Sequence, residues 1–382
     1  MSQTIKPFIP VSQLPTLDSL PDSFIFADGA KVASAEDWQR RADELKQLYQ
    51  HYMYGYLPDA ALEKVSCERT EAGLNITVTA QGRTASFPVG VSVPGEDCEL
   101  DGPYPVIFTI GTLEAWRPDG LVDTDHVKQA NRRGYAVVTL QTPLVASDNA
   151  ERTGAFFELY PYSSDPTTAP GWDIGVLVAW GWGAGKALDA LEQGAYAEID
   201  SARTIITGFS RCGKSALIAG VLDERFAVVN PHCSGAGGIA SFRRSFGGKE
   251  YAWGVADRSE GLEVLQCDQE AHWFNSVFGE FKDVNKLPFD QHELAALIVP
   301  RALLVTAGYA DYWTNPEGMY VSYEGAAKVY DFLGIGEQIG VAFRPGGHAR
   351  NQDDIDNLLD FCDYRLRGSA AAGKDFKSSL YE

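Results

Sequence analysis

The 382-residue sequence predicts an α/β protein, a three-layer αβα sandwich around a mostly parallel central sheet. Three observations carry that prediction. Short continuous apolar runs such as Val106-Ile107-Phe108-Thr109-Ile110 and Ala136-Val137-Val138-Thr139-Leu140 read as strands covered on both faces. Those runs alternate with helical segments, the order that right-handed crossovers build into a parallel sheet. Ahead of them, residues 61 to 93 alternate polar and apolar, as in Leu74-Asn75-Ile76-Thr77-Val78-Thr79, which predicts antiparallel strands at the front of the sheet.

Taken in order, residues 1–19 read as an extended, proline-punctuated arm and residues 20–382 as a single domain, with no repeat, low-complexity stretch or long linker. Ser34 is placed to cap a first helix, with Asp37 three residues on and an apolar stripe of Trp38, Ala42, Leu45, Leu48 and Tyr52 that stops near Gly55 and Pro58. After the antiparallel strands, helices are predicted over 124–133 and 175–191, and the strand Thr204-Ile205-Ile206-Thr207 follows. Further strands are expected at 227–230, 302–306 and 339–343, and a last helix over about 350–366.

Composition narrows the function. Apolar residues make up 45% of the chain, enough for a large core, and the net charge is −20 without any basic run, which argues against nucleic acid as a partner. No stretch is long and apolar enough to span a membrane. The first ten residues lack the apolar core of a secretory leader. The six cysteines (67, 98, 212, 233, 267 and 362) show no zinc spacing, so reduced thiols in a cytosolic protein are expected. A secreted chain whose leader had been removed would look the same.

The stretch that organises the rest is Thr204-Ile205-Ile206-Thr207-Gly208-Phe209-Ser210-Arg211-Cys212-Gly213-Lys214-Ser215. A β-branched run stops at Gly208 and an Ala- and Leu-rich helical run begins two residues later, which sets Ser210 on a sharp strand-to-helix turn. A hydroxyl there is lifted from the sheet beside the unpaired N–H groups that open a helix, a place to stabilise an oxyanion. Glycines 208 and 213 permit the close backbone approach. The same residues also spell G-x-x-x-x-G-K-S, the phosphate-loop pattern, and an ordinary turn would fit as well.

The rest of the chain favours the nucleophile. A serine needs a base and an acid to orient that base. Asp311 follows the strand at 302–306 and His348 follows the strand at 339–343, so serine, acid and histidine come in the α/β-hydrolase order, at strand C-termini where open sheets place their sites. The phosphate-loop reading lacks its partner, because Val228-Val229-Asn230-Pro231 does not end in a magnesium-binding aspartate. The other histidines (51, 126, 232, 272 and 292) lack this placement, and His292 reads as structural.

Gly208-Phe209-Ser210-Arg211-Cys212-Gly213-Lys214 resembles the G-x-S-R-x-G-K signature of glucuronoyl esterases, carbohydrate esterase family fifteen. So do Ser234-Gly235-Ala236-Gly237-Gly238, His272-Trp273-Phe274, Pro288-Phe289-Asp290-Gln291-His292-Glu293-Leu294 and Asp311-Tyr312-Trp313-Thr314-Asn315-Pro316-Glu317-Gly318, so that the likeness covers about residues 20 to 366. The resemblance implies an α/β-hydrolase fold and a serine esterase of (4-O-methyl-)glucuronic acid esters, acting through an acyl-enzyme with no metal or cofactor. Its partner would be a small or oligosaccharide uronate ester, with no nucleic acid and no membrane; in a cytosolic setting a small imported ester is expected. By the resemblance Ser210 is the nucleophile, His348 the base, Arg211 an oxyanion donor, Lys214 a ligand for sugar hydroxyls and Trp313 the stacking surface for the sugar. Glu263 and Glu270 are expected hydroxyl contacts.

Two departures matter. Many family members place a glutamate where this chain has Cys233, which leaves the orienting of His348 to Asp311. Secreted fungal members carry cysteines at the positions of Phe209 and Ala349, so no bridge can form here. Alternatives from other classes are a nucleotide-binding protein, a non-catalytic carbohydrate-binding relative and an acetyl esterase.

Overall fold

The computed structural model describes residues 8–117, 120–122, 125–165, 172–244, 259–369 and 374–377. Residues 8–19 carry one short turn, Val11–Gln13, and bury Val11 and Leu14. The first helix, α1 (Ala35–Tyr49), is capped as its sequence predicts, Ser34 Oγ accepting the Asp37 N–H at 3.1 Å. Its buried face is Trp38, Arg41, Ala42, Leu45 and Tyr49, at steps of three and four. Leu48, assigned to that face from the sequence, is only half-buried. The helix widens into a π-turn over Gln50–Tyr54, which shifts the register and buries Tyr52, Met53 and Tyr54 together. Gly55, at φ 89°, ends it.

Nine strands form one sheet: β1 (Glu63–Arg69), β2 (Gly73–Ala80), β3 (Arg83–Ser92), β4 (Tyr104–Ile110), β5 (Ala136–Leu140), β6 (Ile199–Phe209), β7 (Val228–His232), β8 (Ala302–Gly308) and β9 (Ile339–Arg344). Their spatial order is β1-β2-β3-β5-β4-β6-β7-β8-β9. The first three strands and the β3–β5 pair are antiparallel, and every pairing from β5 to β9 is parallel. The alternating pattern of residues 61–93 and the continuous apolar runs that follow thus mark the two halves of one sheet.

The helices that cover it are α2 (His126–Arg132), α3 (Val176–Glu192), α4 (Arg211–Leu222), α5 (Pro316–Phe332) and α6 (Gln352–Arg367). Strand residues alternate between two cores. Val106, Phe108, Ile206, Val229, Leu303 and Val305 join the α1, α3, α4 and α5 side, while Ile107, Ile205, Val228 and Leu304 join the side of α2 and α6. That double burial is why these strands read as unbroken apolar runs. The fold is the α/β-hydrolase sandwich, and the carboxyl ends of β5 to β9 meet along one edge.

Candidate active site

The nucleophile turn comes from the junction of β6 and α4. Ser210 lies between them at φ 58°, ψ −126°, a conformation that L-residues rarely adopt. Two glycines make the turn possible. A Cβ on Gly208 would sit 2.1 Å from the Cys212 carbonyl oxygen, and one on Gly213 would sit 2.7 Å from the His232 carbonyl oxygen. The Ser210 N–H donates to His232 O at 3.0 Å, which pins the turn to β7. Beyond it α4 opens, and its first N–H groups have no intrahelical acceptor.

The candidate base and its acid, His348 and Asp311, follow the neighbouring strands β9 and β8. Asp311 Oδ2 and His348 Nδ1 are 2.8 Å apart, with Asp311 fully buried and His348 almost so. Burial would raise the Asp311 carboxyl, but the charge of His348 and hydrogen bonds from His348, Thr314 and Cys233 outweigh it and hold the group below the ordinary carboxylate range. An ionised carboxylate accepts only, so Nδ1 carries the hydrogen and Nε2 is the nitrogen suited to take a proton from serine. The Phe209 ring packs on the His348 imidazole at 4.5 Å between centroids, which brings the base to the residue beside Ser210.

The loop that carries His348 is braced from beneath. Arg344 donates to Asp354 at 2.7 Å and to Ala349 O at 2.6 Å, and Arg350 donates to Thr112 O at 2.7 Å. His232 lies 3.0 Å from Ala349 O through Nε2 and 2.9 Å from Thr306 Oγ1 through Nδ1. Burial holds His232 down at about 4, so it is neutral near pH 7. The Ala349 carbonyl can only accept, which fixes the hydrogen on Nε2 and leaves Nδ1 to accept from the Thr306 hydroxyl.

Cys233 occupies the end of β7 with φ 47°, fully buried. Its Sγ and the ligand atoms of Asp311 and His348 all lie within 4.8 Å of one another. Burial, helped by the Asp311 charge, pushes the thiol well up, so it stays protonated. A protonated thiol is a neutral donor to Asp311 and neither an orienting acid nor a metal ligand. Asp311 is the carboxylate in hydrogen-bond contact with His348.

One wall of the site rests on a buried ion pair. Lys214 Nζ donates to Glu260 Oε2 at 2.6 Å, Ser234 O at 2.8 Å and Ala236 O at 2.5 Å. Gly235, at φ 60°, covers the pair so closely that a Cβ there would lie 2.3 Å from Glu260 Oε2. The Glu260 N–H donates to Trp313 O at 2.8 Å, which ties the pair to the half-buried turn Tyr312–Thr314 behind Asp311. Glu270 faces the same charges. Burial, with the Glu260 carboxylate adding to it and Lys214 and Arg211 opposing, pushes its carboxyl up to about 7. Its buried Oε2 has no hydrogen-bond partner among the described residues. Arg211 stands half-exposed at the mouth, with its Nε 3.2 Å from Asp148 Oδ2.

The family model for fungal glucuronyl esterases matches residues 76–334. A 4-O-methyl-glucuronoyl methylesterase of Wolfiporia cocos is 30% identical over 378 residues, covering 96% of this chain and 85% of that protein. The chain belongs to the glucuronoyl esterases. A solved family 15 glucuronoyl esterase from Caldicellulosiruptor kristjansonii is 51% identical, with a TM-score of 0.90 over 97% of this chain and 96% of that one. A multidomain esterase of Ruminococcus flavefaciens is 34% identical over 94% of this chain, which spans about half (48%) of that protein's length.

Against the glucuronoyl esterase pattern, Ser210, Asp311 and His348 follow β6, β8 and β9, and the Asp311 carboxylate and the His348 ring are in contact. Lys214 lies close by, as its place one helical turn after Ser210 implies, but it is 2% exposed and its three ammonium hydrogens are on protein acceptors. For it to bind a sugar hydroxyl, one of those bonds must be exchanged. Glu270 and Trp313 border the wall. Glu263 is exposed on the short helix Leu262–Leu265, and the buried carboxylate of this region is Glu260. Sequence reasoning missed Glu260 and Asp148. Asp148 carried one signal, an acid in the loop beyond the carboxyl end of a parallel strand. Glu260 carried none, since its partner lies 46 residues away.

Proposed function

We propose that the protein hydrolyses esters of glucuronic acid or its 4-O-methyl ether by a serine acyl-enzyme route. The observation that carries this reading is the Asp311–His348 contact of 2.8 Å beside the strained turn of Ser210, in a chain of the glucuronoyl esterase family. Ser210 Oγ attacks the ester carbonyl carbon as its proton passes to His348 Nε2, and Asp311 stabilises the imidazolium. The oxyanion that forms faces the opening N–H groups of α4 and the Arg211 guanidinium, whose fixed donors suit developing negative charge. Collapse expels the alcohol, which takes the proton from His348, and water then releases the uronic acid by the reverse sequence.

The substrate's acid half is recognised by the wall around Glu260, Glu270 and Trp313. A protonated Glu270 can donate to a hydroxyl or carbonyl oxygen, and an indole face suits the C–H face of a pyranose. The relative from Wolfiporia cocos is named for a methyl ester of this uronate, which supports a small alcohol as the leaving group. The phosphate-loop alternative is not favoured, because the Lys214 ammonium that would meet a phosphate is buried against Glu260.

Specificity tests the reading. The wild-type protein is assayed on methyl glucuronate and on an acetylated xyloside, in which the sugar lies on the alcohol side of the ester. Preference for the uronate ester by at least about a hundredfold in kcat/KM is expected, since a site built around buried polar groups rejects ligands that leave them unpaired. Equal rates on the two would make the protein a general acyl esterase.

A further inference from the structure

Three groups converge on Asp148, in the loop that follows β5. Its Oδ1 accepts from Trp273 Nε1 at 2.7 Å and lies 2.9 Å from His272 Nε2. Its Oδ2 forms the ion pair with Arg211 Nε at 3.2 Å. The carboxylate is therefore fixed on one oxygen by two donors from the turn Ala271–Trp273 and offers the other to the residue next to the nucleophile. The His272 ring is 2% exposed, so this anchor is rigid, whereas the Arg211 side chain is 54% exposed and, among the described residues, is ion-paired with Asp148 alone.

We propose that Asp148 is a positioning residue for the reaction: it holds the Arg211 guanidinium by Nε so that the Nη groups point toward the ester oxygen. An arginine at a cleft mouth samples many rotamers, and a donor stabilises an oxyanion only when it is preorganised. Engaging Nε with a carboxylate that is itself locked removes most of that freedom and still leaves the two terminal nitrogens for the oxyanion. Burial works to raise the Asp148 carboxyl, but the hydrogen bonds of His272 and Trp273 and the Arg211 charge outweigh it, so the anchor keeps its charge. The inference rests on the oxyanion role proposed for Arg211.

A double-mutant cycle on methyl glucuronate tests it. Asp148→Asn keeps a carbonyl oxygen for Trp273 and His272 and places an amide opposite Arg211, so the wall is retained while the ion pair is lost. Asp148→Ala serves as the second variant, and both are expected to fold, since the residue lies in an exposed loop. Either change is expected to lower kcat by about tenfold to a hundredfold with KM within about twofold, the signature of an interaction made in the transition state. In an Arg211→Ala background the same changes are expected to cost no more than about twofold, because residues that act as a unit are non-additive. Full additivity with Arg211→Ala, or a loss confined to KM, would overturn the positioning role while leaving Arg211 in place. An Arg211→Ala variant as active as wild type would overturn the oxyanion role itself.

Discussion

At the residue scale the proposed chemistry turns on which carboxylate serves the histidine. Asp311 is the carboxylate in place to do so, at 2.8 Å from His348 Nδ1, and Cys233 stands beside both as a protonated thiol. Asp311→Asn is therefore expected to lower kcat by about a thousandfold to ten-thousandfold, because the amide favours the wrong imidazole tautomer. A pH-rate profile and kcat measured on the purified variant check this, and near-normal turnover would mean that another acid orients the base. Glu270 gives a second expectation. Its folded pKa of about 7 lies above the ordinary glutamate value, so the folded protein holds a proton there that the unfolded chain has already lost. Stability tied to this group is present below pH ~4.5 and lost as pH rises through ~7. Glu270→Gln is expected to unfold at a higher temperature than wild type at pH 8 and at about the same temperature at pH 4.5, as scanning calorimetry can measure. A lower midpoint for the variant at pH 8 would contradict this.

At the scale of elements, the turn and the wall depend on glycines that no side chain can replace. Gly208→Ala would drive a Cβ to within 2.1 Å of the Cys212 carbonyl oxygen, a contact with backbone that cannot move aside. A loss of at least about 2 kcal/mol in denaturant unfolding is expected, together with loss of activity. Gly235→Ala would drive a Cβ onto Glu260 Oε2 and part the buried pair with Lys214; leaving either charge unpaired costs about 3–5 kcal/mol. Urea titration of both variants checks these values. The first of these devices was legible in the sequence, because a β-branched run, Gly208, Ser210 and Gly213 sit within one short stretch. So were Asp311 and His348, each just past an apolar strand. The second was not: Gly235, Lys214 and Glu260 belong to separate segments, and burial of an ion pair leaves no periodic trace. Asp148 was hidden in the same way, since His272 and Trp273 reach it from a segment more than a hundred residues away. In α1 the stripe read from the sequence holds at Trp38, Ala42, Leu45 and Tyr52, while Leu48 is only half-buried and Tyr49 takes the buried place beside it.

At the scale of the whole molecule, the parallel half of the sheet is what lets five distant segments act together. Strand ends β5 to β9 set the approaches to Asp148, Ser210, Cys233, Asp311 and His348 on one edge, and side chains from the loops below lock them. That lock has a pH limit. His232 braces the His348 loop as a neutral ring, with a pKa depressed to about 4, so the stability it contributes is present above the ordinary histidine value and lost as pH falls through about 4. Asp311, held below the usual carboxylate range, fails later on the same descent. Activity is thus expected to be lost between pH ~6 and ~4 partly by reversible loosening of this loop, and hydrogen exchange of residues 345–351 at pH 7 and pH 4.5 would reveal it. Unchanged protection there would contradict the loosening. The most direct measurement of the central claim is hydrolysis of methyl glucuronate by wild type and Ser210→Ala, followed by release of methanol. Turnover by the wild type that vanishes in Ser210→Ala is the predicted result; equal release by the two proteins would contradict a serine acyl-enzyme at this turn.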